Sequence, residues 1–172
     1  MLASCENDLK DVEKIASHNR GVPVDITYGV TAIYSDSAVV KAKLSTPIFK
    51  SYKTKNPYSV MPEGVTIIFY DEKQKESGRI TSEMAIRREK EQVVEFRKNV
   101  VVTDNQGNTF KSEELLWYEA LHKIISRKPV VITDKSGFPI SGTGFEAPES
   151  DLSKATVYQG NGVIAVPSGQ GF

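Results

Sequence analysis

The sequence predicts an all-β fold built of consecutive antiparallel hairpins. Three observations carry that expectation: a repeat with a period of thirty residues, hairpin-like links inside each period, and stretches rich in β-branched and aromatic residues. Residues 97–107 read RKNVVVTDNQG and residues 127–137 read RKPVVITDKSG, so the basic pair, the apolar triplet, the Thr-Asp step and the closing Gly all recur. The same spacing aligns Ile80 with Phe110 and Ile140, Ser82 with Ser112 and Gly142, and Glu83 with Glu113. An apolar run ending in Thr-Asp, followed by a short polar link closed by Gly, has the chemistry of a hairpin turn. Each period therefore supplies two strands.

Taken in order, residues 6–22 are charged and lack strand alternation, although Leu9, Val12, Ile15 and Ala16 mark a helical stripe. They read as a polar, partly helical tether. Residues 24–34 are rich in β-branched and aromatic types, Ser35, Asp36 and Ser37 form a turn cluster, and residues 38–44 alternate apolar positions with Lys, which makes a first hairpin. Thr46-Pro47 is expected to end that strand or place it at an edge, leaving residues 48–58 as a connection with little regular structure. Residues 65–70 form a compact strand, and residues 71–78 read as a longer version of the later turns. The repeat runs to about Ala147, and residues 148–153 interrupt it. Beyond them, residues 155–158 and 163–166 are set to pair across Gln159-Gly160-Asn161-Gly162. The chain thus divides into an anchor signal and tether (1–22), one β domain (23–166) and a Gly- and Ser-rich tail (167–172), expected to be disordered.

Two stretches keep a second reading open, residues 82–99 and, more fully, residues 112–126. Residues 112–126, SEELLWYEALHKIIS, also satisfy an amphipathic helix, with Ser112 as cap and acids in the first turn. On propensity alone, thirty-residue βα units over a parallel sheet compete with the all-β array. The hairpin-like links at 104–107 and 134–137 favour β, as does the capacity of residues 123–134 to run as one strand kinked at Pro129.

Composition narrows function. Lys plus Arg equals Asp plus Glu at 22 each, so no long-range field singles out nucleic acid as a partner. No run approaches the ~20 apolar residues that span a bilayer. His18 and His122 are isolated, so neither a metal site nor a catalytic triad has enough members, and no cofactor is expected. Adjacent acids such as Glu113-Glu114 point to opposite faces of a strand and do not make a carboxylate pair. Gly142-Thr143-Gly144 lacks the Lys of a phosphate-binding loop and reads as a bulge or a close backbone approach. The single cysteine, Cys5, follows Leu2-Ala3-Ser4, and this tetrapeptide resembles the lipobox of bacterial lipoproteins, in which the cysteine carries the lipid.

Residues 31–166 carry a more specific resemblance. Ile33-Tyr34-Ser35-Asp36, Leu44-Ser45-Thr46-Pro47 and Gly64 with the strand at 65–70 are followed by Ile80-Thr81-Ser82-Glu83-Met84-Ala85 and Ser112-Glu113-Glu114-Leu115-Leu116-Trp117. Pro129-Val130-Val131-Ile132 and Ile140-Ser141-Gly142-Thr143-Gly144-Phe145 complete the series. In this order and at these distances the segments resemble the LptC family of lipopolysaccharide transport, in its Bacteroides-like form. The resemblance implies an open β-jellyroll, a two-sheet antiparallel sandwich with a continuous apolar interior. It also implies a non-enzymatic function, accepting lipopolysaccharide from an inner-membrane ABC transporter and passing it to a periplasmic LptA-like protein. The membrane helix that opens the proteobacterial members is replaced here by the lipobox-like Cys5, so the expected location is the periplasm, anchored to the inner membrane as a lipoprotein.

In such a sandwich alternate side chains face inward. The thirty-residue register then assigns Ala85, Leu115, Trp117 and Phe145 to the interior, with Ile80, Phe110 and Ile140 at matching strand starts, as the candidate acyl-chain groove. Arg87, aligned with Trp117, is expected at a sheet margin. Arg87, Arg97, Lys98, Arg127 and Lys128 are candidates for lipid A phosphates at the rim, because guanidinium and ammonium groups bind phosphate oxygens. Open sheet edges accept an added strand. The C-terminal strands are therefore expected to meet the LptA-like protein, and the strand at 24–34 an LptF- or LptG-like subunit. The competing reading is a structural or adhesive β-repeat domain of an envelope lipoprotein, with a filled core and no cargo.

Overall fold

The computed structural model describes residues 23–159 and 162–165, the latter four as backbone. Fourteen strands are connected by antiparallel pairing into one sheet. In chain order they are β1 (Val24–Asp36), β2 (Val39–Tyr52), β3 (Tyr58–Met61), β4 (Val65–Tyr70), β5 (Glu76–Ser82), β6 (Met84–Arg88) and β7 (Val93–Asp104). Then follow β8 (Thr109–Tyr118), β9 (Lys123–Ser126), β10 (Val130–Thr133), β11 (Pro139–Gly142), β12 (Gly144–Pro148), β13 (Thr156–Gln159) and β14 (Gly162–Ala165). The helical alternative fails over residues 112–126, which form β8, a single 3-10 turn at Glu119–Leu121, and β9.

The sheet folds back on itself into two facing layers, because its long strands change partners midway. Residues 101–104 of β7 pair with β5 while residues 93–97 pair with β6. Likewise β8 pairs with β10 through residues 109–112 and with β9 through residues 116–118. The first layer runs β1, β2, β4, β5, β7, β8, β10, β11, and the second continues from β2 through β3, β6, β7, β8, β9, β12, β13 and β14. Residues 123–134 are thus two strands in different layers, not one kinked strand.

Each bend has a local cause. Gly29 (φ 62°) falls opposite Pro47 in the β1–β2 register, and both are left out of the pairing. Proline costs no ladder hydrogen bond there, so β2 bends but continues through Thr46-Pro47 to Tyr52, where the sequence suggested a break. In β7 the register shifts between Arg97 and Val100, with Lys98 and Asn99 both at positive φ. Thr46 Oγ1 donates to Ile48 O at 3.0 Å and Ser82 Oγ to Met84 O at 2.9 Å, so a hydroxyl supports the turn at two of the bends.

The turns at residues 37–38, 53–57, 71–75, 89–92, 105–108, 119–122 and 134–138 consequently lie on the side away from the bends, in two rows. In the first layer, Asp71, Asp104 and Asp134 each accept hydrogen bonds through Oδ1 from backbone amides two and four residues on, at 2.8–3.0 Å. The left-handed position falls on Gln74 (φ 60°), Gly107 (φ 89°) and Gly137 (φ 84°). The turn at Asp71 is therefore the same turn as the others, and the extra length read from the sequence is a bulge beside Phe69–Tyr70. In the second layer, Glu89 N donates to Pro57 O, Glu119 N to Gln92 O and Glu149 N to His122 O, linking successive turns into a ladder at the thirty-residue spacing.

Asp104 is buried and also accepts from Asn108 Nδ2 at 2.7 Å, whereas the Asp134 turn is largely exposed. Asp104→Ala strands buried donors and is expected to cost about 2–3 kcal/mol, while Asp134→Ala costs about 1 kcal/mol or less. Urea midpoints of the two variants check the difference; equal shifts would refute it.

Candidate functional site

The site is the space between the layers. One row of paired residues crosses the first layer: Ala32, Leu44, Ile67, Ile80, Val102, Phe110, Ile132, Ile140. Facing it in the second layer run Met61, Ala85, Phe96 and Leu115, with Phe145 and Val157 beyond. Rings join the two layers: Phe110 stacks on Phe145 at 5.3 Å, and Phe69 meets Trp117 edge-on at 5.1 Å.

Six of the seven groove candidates lie in this one cluster. Ile80, Ala85, Phe110, Leu115, Trp117 and Phe145 are each at most 2% exposed, with side chains from the opposite layer packed over them. Ile140 departs from the expectation at 38% exposure. It lies in the same row as Phe110 and Ile132, but β11 pairs only with β10 among the described residues, so Ile140 is the outer end of the apolar row. Phe138, 71% exposed, precedes it on the same rim.

The mouth between the two rows of turns carries polar closure at its N-terminal part. Arg87 donates through Nε and Nη2 to the two carboxylate oxygens of Glu119 at 2.8 and 2.9 Å. Its guanidinium lies 5.6 Å from the ring centre of Tyr34, which comes from the other layer. Burial, together with the hydrogen bond and charge of Glu119, pushes the Tyr34 hydroxyl up to about 12, against the opposing charge of Arg87. One period on, Trp117 Nε1 donates to Glu149 Oε2, and His122 Nδ1 lies 2.7 Å from Glu149 Oε1. Both carboxylates stand thirty-two residues after the group they accept from, a second use of the repeat. Sequence reading aligned Arg87 with Trp117 but not Glu119 with Glu149, and so missed these pairs.

The rim cations do not converge. Arg97, Lys98, Arg127 and Lys128 sit at bends, on the side away from the mouth, because the recurring basic pair falls where the chain returns from the second layer to the first, in β7 and between β9 and β10. Arg97 and Arg88 both bind Glu95 on the outer face of the second layer. Burial opposes the charge of Glu95, but the hydrogen bonds and charges of Arg88 and Arg97 outweigh it and hold the carboxyl below its usual range. Arg87, the candidate nearest the mouth, is already committed to Glu119. Cys5 lies outside the described residues. Among those residues no acidic, His or Cys cluster can hold a metal ion, and no helix is long and apolar enough to cross a membrane.

An all-β antiparallel sheet doubled over a continuous apolar interior, with β1, β11 and β14 at its edges among the described residues, defines a β-jellyroll. Residues 28–160 match the family described as lipopolysaccharide-assembly, LptC-related, and the chain belongs to that family. Membership makes it a component of lipopolysaccharide transport associated with the periplasmic side of the inner membrane. No curated protein matches the chain.

Tyr34 is neutral below pH 10 whether folded or unfolded, so its contribution to stability is complete there and is lost as pH rises from 10 towards 12. Glu119→Gln removes one cause of the shift but not burial, the larger one. Ultraviolet titration of tyrosinate should show Tyr34 ionising earlier in that variant, yet later than an exposed tyrosine; an unchanged curve would refute the contact.

Proposed function

We propose that the chain is a relay in the lipopolysaccharide bridge, holding acyl chains between its two layers. It receives them from the inner-membrane ABC transporter at its β1 end and passes them to an LptA-like protein at its β13–β14 end. The observation that carries this reading is the apolar row, unbroken from Leu44 to Ile132 and ending at exposed Ile140 on a free edge. A cargo path requires that continuity; a structural domain does not. Strands β1 and β14, each paired on one side only among the described residues, offer edges for strand addition by neighbours of like fold, which would extend the row from one protein to the next. Attachment to the inner membrane through acylated Cys5 belongs to the same proposal.

Burying acyl chain contributes ~0.8 kcal/mol per methylene. The interior is filled by its own side chains, so loading separates contacts such as Phe110–Phe145 and replaces them with contacts to lipid. The net gain is the difference between the two, which keeps the cargo exchangeable with a neighbouring interior. The filled core is also what a structural domain would have, so the two readings part on occupancy alone.

A benzophenone amino acid at Leu115 or Trp117, with transporter, ATP and lipopolysaccharide supplied, should give lipid adducts. The same probe at half-buried Leu116 or Tyr118, on the outer face, should give none. Adducts at neither pair, with loading verified on a relay protein known to carry lipopolysaccharide, would leave the structural reading standing.

A further inference from the structure

The mouth is closed differently along its length. Near β1 it is crossed by polar contact, with Tyr34 of the first layer against Arg87 and Glu119 of the second. Farther on, the crossing is apolar. The connection between β12 and β13 contains the 3-10 turn Leu152–Lys154, and Leu152 in it is fully buried. That side chain reaches over to the first layer, where it fills the space a Cβ on Gly78 would occupy: Leu152 Cδ1 would lie 2.5 Å from that atom and Thr103 O 2.7 Å. Gly78 is therefore a socket, and a larger residue would have to displace both Leu152 and a backbone carbonyl.

The segment around Leu152 is hydrogen-bonded within itself and to its own layer. Asp151 caps it, accepting from Ser153 N at 3.2 Å and Ser153 Oγ at 2.6 Å, and Lys154 N donates to Asp151 O. Glu149 fastens its base to Trp117 and His122, which belong to its own layer. Among the described residues, the hydrogen bonds of residues 149–154 stay within the segment or end on its own layer. Across the mouth it is held by the apolar contact of Leu152, which an acyl chain can replace in kind.

We propose that residues 149–154 form a gate, closed by Leu152 seated over Gly78 and opened when an acyl chain of lipopolysaccharide takes the place of that side chain. The cargo half of this rests on the lipid-carrying reading above. Lipid arriving along the interior from the β1 end then displaces Leu152 and leaves sideways at the gate, towards the rim where Ile140 and Phe138 are exposed, while the Tyr34–Arg87–Glu119 contact keeps the two layers joined nearer β1.

Two measurements on the full chain test it separately. Hydrogen exchange without lipid reads the movement: the amides of Leu152 and Ser153 should exchange at least about tenfold faster than those of Phe145 and Val157 in the flanking strands. Equal protection would overturn the gate. Lipopolysaccharide loading, followed by photo-crosslinking at Leu115, reads the cargo. Leu152→Ala empties the socket and should speed adduct formation by about tenfold or more, given what burial of a leucine contributes to a closed state. If that variant loses its cooperative melting transition, Leu152→Val should give a smaller acceleration. An unchanged or slower rate in the folded variant would overturn the gate, whereas no adduct in any chain, with fast exchange at Leu152, would overturn the cargo reading and leave the movement.

Discussion

A strand that passes from one layer to the other must keep its apolar side chains pointing inward, and here that requires an unpaired residue at the bend. Inward positions follow a step of two along a strand, but where the chain passes from the first layer to the second they step by three, from Thr46 to Phe49, Ser82 to Ala85, Ser112 to Leu115 and Gly142 to Phe145. Where it returns they step by four, from Phe96 to Val100 and Ser126 to Val130. Without that extra residue, Ala85, Leu115 and Phe145 would point to solvent and the second layer would have no inner face. The turn rows, the mouth and the continuous apolar row all follow from where these bends fall.

This also explains which parts of the fold were legible in the sequence. The thirty-residue spacing between Ile80, Phe110 and Ile140 fixed one strand pair per period, and the spacing between Ala85, Leu115 and Phe145 fixed the parity change, because five residues separate each first member from its second. The helical pattern of residues 112–126 owes its first step to the same device, since the step of three from Ser112 to Leu115 at the bend is one that a helix also satisfies. Pro47 misled because its cost depends on whether its amide position is needed for pairing, which only the opposing Gly29 reveals. The recurring Arg-Lys pairs looked like phosphate ligands because charge alone does not tell the outside of a bend from the rim of a groove.

Ile140 and Glu149 show a different limit. Both obey the repeat, yet each owes its environment to what faces it from another part of the sheet. Ile140 matches Phe110 in register but sits on the last strand of its layer, so equivalence in sequence does not become equivalence in burial. Glu149 matches Glu119, but the position that is Arg87 in one period is Trp117 in the next, so the same geometry yields an ion pair in one place and a neutral donor in the other. A repeat fixes where a side chain stands, and divergence between its copies decides the chemistry there.

That divergence gives the mouth a direction. An ion pair joined to a buried tyrosine is hard for lipid to replace, since parting Arg87 from Glu119 leaves charges without partners in a poorly solvated place. A leucine over a glycine is readily replaced, because an acyl chain restores the same kind of contact. Both closures belong to successive copies of one turn, at Glu119 and Glu149, with the polar one nearer β1 and the apolar one nearer β13. A jellyroll whose closures were all polar would hold its layers together against cargo, and one whose closures were all apolar would have no fixed end about which to open. The graded series gives one sheet both a hinge and a movable lip without adding an element to the fold.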